Sequence, residues 1–267
     1  MNQSGMEASH LKIMYGGHTA VEDFSFSAPI GRITALIGPN GAGKTSIFNA
    51  CNGLLRPAGG TVELKGTDVT HWTPARRARH GLGRTFQRME LCRAMTVTEN
   101  VALGRECVAV GGNALRQVFS SPKERTTIGR VTAEAIERCG LADFAPRPVG
   151  TLSTGQCRLV ELARVLAGGF ELLLLDEPSS GLDDEETHEF GRILRSVVGD
   201  GEHGILIVEH DMALVMDVCD YVYVLDFGHC IFSGTPAETQ ASDVVRAAYL
   251  GESAAVDAAV GATELVS

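Results

Sequence analysis

The chain has 267 residues, 44% hydrophobic and 21% charged, with a formal net charge of −10. This fits one large α/β domain, or a core with a smaller subdomain, and excludes a disordered or fibrous chain. The acidic balance argues against nucleic acid as a partner, although Arg76-Arg77-Ala78-Arg79-His80 reads as a local basic patch.

In chain order, Met1 to His10 is polar, without the apolar run of a secretory signal. Residues 11–37 read as short strands with turns: Val21 to Ala28 alternates loosely, and Arg32 to Ile37 leads into Gly38-Pro39-Asn40-Gly41-Ala42-Gly43-Lys44-Thr45. A helix-like segment beginning at Ser46 follows. This strand–GxxxxGK[ST]–helix order is that of a phosphate-binding loop. Its glycines let successive N–H groups point at a phosphate, and the helix adds its positive end. Lys44 can reach the β- and γ-phosphates, and the Thr45 hydroxyl can hold Mg²⁺. The chain is therefore expected to bind a nucleoside triphosphate.

After the breaker Pro57-Ala58-Gly59-Gly60, residues 61–70 read as a further strand and turn, which suggests an antiparallel layer against the nucleotide core. Residues 88–165 turn helical. Ser121-Pro122-Lys123-Glu124 is a helix start, Ile128, Val131, Ala135, Ile136 and Cys139 recur at helical spacing, and Gly140 ends the run. Gly104 to Gly112 is expected to be loop-like. Glu171 to Asp176 and Ile205 to Val208 are short apolar runs suited to buried parallel strands, separated by a helix near Glu185 to Val198. Runs this short do not span a bilayer, so a membrane role would be peripheral. The seven cysteines include no CxxC pair and fit reduced thiols rather than a zinc site. Ser253 to Ser267 is expected to be loosely ordered.

Leu172-Leu173-Leu174-Leu175 ends in two carboxylates, Asp176 and Glu177. Side chains alternate along a strand, so the two should point differently. Asp176 is placed to face Mg²⁺ through water, and Glu177 to polarise a water at the γ-phosphate.

Leu152-Ser153-Thr154-Gly155-Gln156 resembles the LSGGQ signature of ABC transporter ATPases. Tyr15, the phosphate loop, Thr85-Phe86-Gln87, this signature, Asp176-Glu177-Pro178, Ser180-Gly181-Leu182-Asp183 and Glu209-His210-Asp211 follow in that family's order. The resemblance implies a P-loop NTPase (RecA-like) core with an antiparallel β subdomain and a helical subdomain. It implies ATP hydrolysis with Mg²⁺. Residues 1–87 would hold the N-terminal part of the core and 88–165 the helical subdomain with the signature. Residues 166–252 would complete the core with the acid pair and the histidine switch, and 253–267 would be a tail.

The resemblance also assigns roles. Tyr15 would stack on adenine. Residues 38–45 and Ser46 would hold the phosphates. Gln87 would sense Mg²⁺ and the γ-phosphate at the joint with a membrane partner. His210 would contact the γ-phosphate, and Asp183 would couple two sites across a dimer. Ser153, Gly155 and Gln156 would meet the ATP held by another subunit's phosphate loop. Two positions depart from the pattern: Thr154 replaces a glycine, at a place where a positive φ need not be required, and Cys157 replaces a residue more often polar.

The finer resemblance is to the ATPase subunits of branched-chain amino acid uptake systems. It rests on Gly83-Arg84-Thr85-Phe86-Gln87, Met95 to Val101, Val208 to Met212, Leu214 to Met216, Gly234-Thr235-Pro236 and Tyr249-Leu250-Gly251-Glu252. Urea-uptake and lipopolysaccharide-export ATPases share part of it, and a cluster-assembly ATPase is the non-transport alternative. The implied partners are integral-membrane permeases and a second ATPase subunit, equal or different. The implied location is the cytoplasmic face of the cell membrane. Residues 88–94 would either receive a helix of the permease, with Met89 and Leu91 as anchors, or pack as an ordinary part of the helical subdomain.

Overall fold

The computed structural model describes residues 5–85, 90–110 and 122–249. Strands β1 (Met6–Tyr15) and β2 (His18–Ala28) form a hairpin, and β3 (Ile33–Ile37) runs into helix α1 (Lys44–Asn52). Then come β4 (Gly59–Leu64), β5 (Thr67–Asp68), α2 (Pro74–Arg79) and β6 (Leu82–Arg84). Helices α3 (Val97–Val110), α4 (Pro122–Arg138) and α5 (Thr154–Ala167) follow, then β7 (Leu172–Asp176), α6 (Asp184–Val198) and β8 (Gly204–Val208). The described chain ends with α7 (Met212–Val218), β9 (Tyr221–Asp226), β10 (His229–Gly234) and α8 (Pro236–Ala241), before helical residues 243–249.

Strands β2-β1-β4-β5 make an antiparallel sheet, and β10-β9-β3-β8-β7-β6 make the main sheet, parallel except for β10. The central strands β3, β7 and β8 are buried at every residue. Their alternation decides which layer each side chain serves. Ile33, Ile37, Leu173, Leu175, Ile205 and Ile207 join helices α3 to α7 in one core. Leu36, Leu172, Leu174, Leu206 and Val208 join α1 and the antiparallel sheet in a second core. The main sheet is thus covered on one face by helices and on the other by α1 and an antiparallel layer, as the residue pattern suggested.

Three expectations need correction or qualification. Residues 104–110 are helical, not loop-like. Gly104 is there for closeness: a Cβ on it would lie 1.9 Å from the Arg164 carbonyl oxygen on α5. Second, Arg77 is not part of a surface patch. It is fully buried, and it donates to the carbonyls of Ala50 and Cys51 at 2.6 Å each and to that of Thr70 at 3.1 Å. It thereby adds charged donors to the carbonyls at the end of α1, that of Ala50 being shared with the Gly53 N–H. Third, Leu91 packs partly buried against the helical-side core, so ordinary packing accounts for it, while Met89 lies outside the described residues. Ser121, Gly112 and the 253–267 tail also lie outside them. Among the described residues, no helix is long and apolar enough to cross a membrane.

Candidate active site

The phosphate loop joins β3 to α1, and two of its glycines are imposed by crowding. Gly38 has φ 145° and Gly43 has φ 102°. A side chain at Gly38 would meet the Leu225 carbonyl at 2.0 Å, and one at Gly43 would meet Ala20 and Val21 at 2.9 Å. The loop is left with backbone N–H groups and the start of α1. No acidic residue in the first turn offsets that helix end. Lys44 is buried and folds its ammonium over the loop, donating to the carbonyls of Gly38 and Pro39. Asn40, Gly41 and Thr45 are exposed at the loop's mouth. Tyr15, at the end of β1, is 50% exposed, which excludes a core role, and its hydroxyl stands 3.3 Å from the Ser46 hydroxyl on α1.

The acid pair ends β7 two strands away, on the same edge of the sheet. Asp176 is buried and paired with Arg84 at 3.0 Å, while Arg84 also donates to Asn49 on α1 at 2.8 Å. Burial pushes the Asp176 carboxyl above its ordinary range, and Arg84 opposes that push. The chain turns sharply after it: Glu177 has φ 46°, left-handed for a residue with a Cβ, and its N–H donates to the Val208 carbonyl at 2.9 Å. Because Asp176 is in register with Val208 at the end of β8, the residues following both strands meet. His210 is exposed, and its Nδ1 lies 3.9 Å from Glu177 Oε1 and 3.9 Å from Glu209 Oε2. Asp211 caps α7 through the N–H groups of Ala213 and Leu214.

The signature starts α5. Ser153 is its N-cap: the Ser153 hydroxyl accepts the Gln156 N–H at 3.2 Å, and the Gln156 side chain accepts the Ser153 N–H at 3.1 Å. Thr154 takes the first helical position without a positive φ, which explains why a Cβ is admitted there. Gly155 is crowded instead, since a Cβ would lie 2.6 Å from the Glu186 carboxylate. Cys157 points at the Val149 carbonyl at 3.7 Å, and burial pushes its thiol up. Asp183 caps α6, accepting the Glu186 N–H at 2.8 Å. The Ser153 hydroxyl donates to Glu186 at 3.1 Å, so Glu186 ties the signature to Asp183. Ser153, Gly155, Gln156, Asp183 and Glu186 line an open groove of about 510 Å³.

Arg84 and Glu209 stand inside motif stretches matched in the sequence but received no role there, and Glu186 and Arg158 stand in none of them. Only Glu186 carried a local signal, three positions after the capping Asp183. The others are tied into the site by contacts distant in the chain: Arg84 with Asn49 and Asp176, Arg158 with Ser180, and Glu209 with Ser179. Gln87 lies outside the described residues.

A phosphate loop at the end of one parallel strand, with a histidine and an acid pair at the ends of the next two strands in the sheet, defines a nucleoside triphosphatase of the P-loop class. Residues 21–180 match the ABC transporter family, and the chain belongs to it as an ATP-binding, ATP-hydrolysing cassette. The high-affinity branched-chain amino acid transport ATP-binding protein BraF of Pseudomonas aeruginosa is 34% identical over 255 residues, which take in 94% of this chain and 100% of BraF. LivG of Salmonella typhimurium, described in the same terms, is 36% identical over 94% of this chain and 100% of its own. The lipopolysaccharide export system ATP-binding protein LptB of Acidithiobacillus ferridurans is 32% identical over 92% of this chain and 97% of its own. Among solved structures, the ADP conformation of an ATP-binding cassette of an ABC transporter has a TM-score of 0.81 at 29% identity, covering 92% of this chain and 98% of that one.

Proposed function

We propose that this chain is the ATP-hydrolysing motor of an importer for branched-chain or related amino acids, acting on membrane permeases through a dimer of such cassettes. The solute class rests on the match to BraF and LivG along their whole length; the lower match to LptB makes lipopolysaccharide export the second reading. The solute does not touch this chain.

One observation carries the hydrolytic part: Glu177 and His210 converge to 3.9 Å at the ends of β7 and β8, beside the strand that feeds the phosphate loop. In this reading, N–H groups of residues 38–46 and Lys44 hold the phosphates, and Tyr15 stacks on the base. Glu177 takes a proton from the attacking water, and His210 orients that water at the γ-phosphate. Thr45 and Asp176 offer oxygen ligands suited to Mg²⁺, with Gln87 a third. Among the described residues, no three His, Cys, Asp or Glu side chains form a metal cage. That fits an ion that takes most of its ligands from phosphate and water, where it would neutralise charge on the phosphates. Ser153, Gly155 and Gln156 close over the ATP of a second subunit, and Asp183 lies at that junction.

The test is Glu177→Gln. It should bind ATP as the parent does, lose roughly a hundredfold or more in turnover, and accumulate an ATP-bound dimer. Lys44→Ala should instead lose nucleotide affinity. Parental turnover by Glu177→Gln would refute the assignment. Uptake of leucine, but not of unrelated solutes, by vesicles carrying the cassette with its permeases would establish the solute class.

A further inference from the structure

Glu209 is fully buried, directly after β8, yet none of the roles above uses it. Its carboxylate joins two loops. Oε1 accepts the Ser179 N–H at 2.9 Å, from the turn that follows Glu177. Oε2 accepts the N–H groups of His210 at 3.0 Å and Asp211 at 3.3 Å. The turn it grips is short and internally bonded: Ser180 N–H donates to the Glu177 carbonyl at 3.1 Å, and Leu182 N–H donates to that of Ser179 at 3.0 Å. The far side of the same turn is held by Arg158 of α5, which donates to the Ser180 carbonyl at 3.4 Å. Beyond it, Glu186 holds both Asp183 and Ser153. A continuous set of contacts therefore runs from His210 through Glu209 to the signature helix.

We propose that Glu209 is a positioning residue for hydrolysis: it fixes the His210 loop against the turn that begins at Glu177, and so sets the distance between the two reacting-side groups. This rests on the assignment of Glu177 and His210 above. A carboxylate suits the task because it has two acceptor oxygens and no donor, and it meets three backbone N–H groups pointing inward from two directions. An amide of the same shape presents an NH₂ to one of those loops, so one side of the clip must open. The phosphate loop makes none of these three bonds, so nucleotide affinity should not depend on them.

The experiment is Glu209→Gln in the full chain, with kcat, ATP affinity and thermal unfolding measured together. The expected result is a drop of about tenfold to a hundredfold in kcat, with ATP affinity within about twofold of the parent. Thr239→Val serves as a control for stability alone, since it removes a buried hydroxyl contact in α8, away from the site. It should leave kcat unchanged. A double-mutant cycle with His210→Ala separates positioning from general damage: if Glu209 acts through His210, Glu209→Gln costs little more in the His210→Ala background. Additive losses, or a Glu209→Gln kcat within twofold of the parent, would overturn the proposal. Should Glu209→Gln fail to fold, Glu209→Asp answers the same question, because it keeps the charge but falls one methylene short of joining both loops. Glu177→Gln run beside it separates the two readings: parental turnover there brings down the hydrolytic assignment itself, whereas a stalled Glu177→Gln with an active Glu209→Gln brings down only the role of Glu209.

Discussion

At the scale of single residues, the site is held by buried charges that sequence motifs do not name. Arg158 and Glu161 form a pair at 3.2 Å, with side chains 7% and 3% exposed, one turn into the signature helix. Glu161 also accepts the Glu90 N–H, and Arg158 reaches the Ser180 carbonyl. Burial holds the Glu161 carboxyl above its ordinary range, with Arg158 pulling it back. The folded chain therefore binds that proton more tightly than the unfolded chain does. The ionised carboxylate costs stability at neutral pH, and the cost vanishes as the pH falls through the raised value. Replacing Arg158 by Met strands the carboxylate and enlarges the cost. Arg158→Met should lose about 3 kcal/mol at neutral pH, and the deficit against the parent should shrink as the medium is acidified toward the carboxylate range. Urea unfolding of both proteins at two pH values measures this; a deficit independent of pH would show that the lost bond to Ser180, not the stranded charge, is what matters. The motif residues themselves were legible from sequence, because Lys44, Glu177 and His210 stand at fixed offsets from apolar runs. The roles of Arg158, Glu161 and Glu209 were not, even though Glu209 stands beside His210 in a motif, because the contacts to Ser180, Glu90 and Ser179 that define those roles are brought close only by folding.

Elements were legible to the degree that their pattern is local. β3, β7 and β8 showed themselves as short apolar runs, since both faces of each are covered. α4 showed itself by its periodic apolar positions and by Gly140, which follows it with φ 66°. The α3 segment was misread because a glycine in a helix normally signals weakness. Gly104 and Gly129 separate the two cases. Both lie within helices, but a Cβ at Gly104 would strike the Arg164 carbonyl at 1.9 Å, while one at Gly129 would meet nothing within 4 Å. Alanine normally gains about 1 kcal/mol over glycine in a helix. Gly129→Ala should realise most of that gain. Gly104→Ala must force α3 away from α5, and overpacking of this kind costs about 1–3 kcal/mol, enough to reverse the sign. Thermal unfolding should therefore move up for Gly129→Ala and down for Gly104→Ala. A rise in both would mean that the α3–α5 contact is loose enough to absorb a methyl group.

For the whole molecule, the question is how many chains make one site. The phosphate loop, Asp176, Glu177 and His210 lie along the ends of the parallel strands, and Tyr15, from the antiparallel sheet, stands against Ser46 at the start of α1. The signature lines a groove built from α5, α6 and the end of α4. If that groove faces the ATP of a second subunit related by two-fold symmetry, each site draws its phosphate loop from one chain and its signature from the other. Two inactive variants then complement each other. Lys44→Ala disables the phosphate loop, and Ser153→Arg blocks the signature while leaving the phosphate loop untouched. In a mixed dimer both faults fall in the same site, and the second site keeps a sound phosphate loop from one chain and a sound signature from the other. With random pairing about half of the dimers are mixed, so a one-to-one mixture should recover about a quarter of parental turnover if the sites fire independently. Each variant alone should give almost none. A site completed within one chain predicts no recovery at any ratio. The recovered rate should also fall with the square of dilution below the dimer constant, which distinguishes association between subunits from any residual activity of either variant.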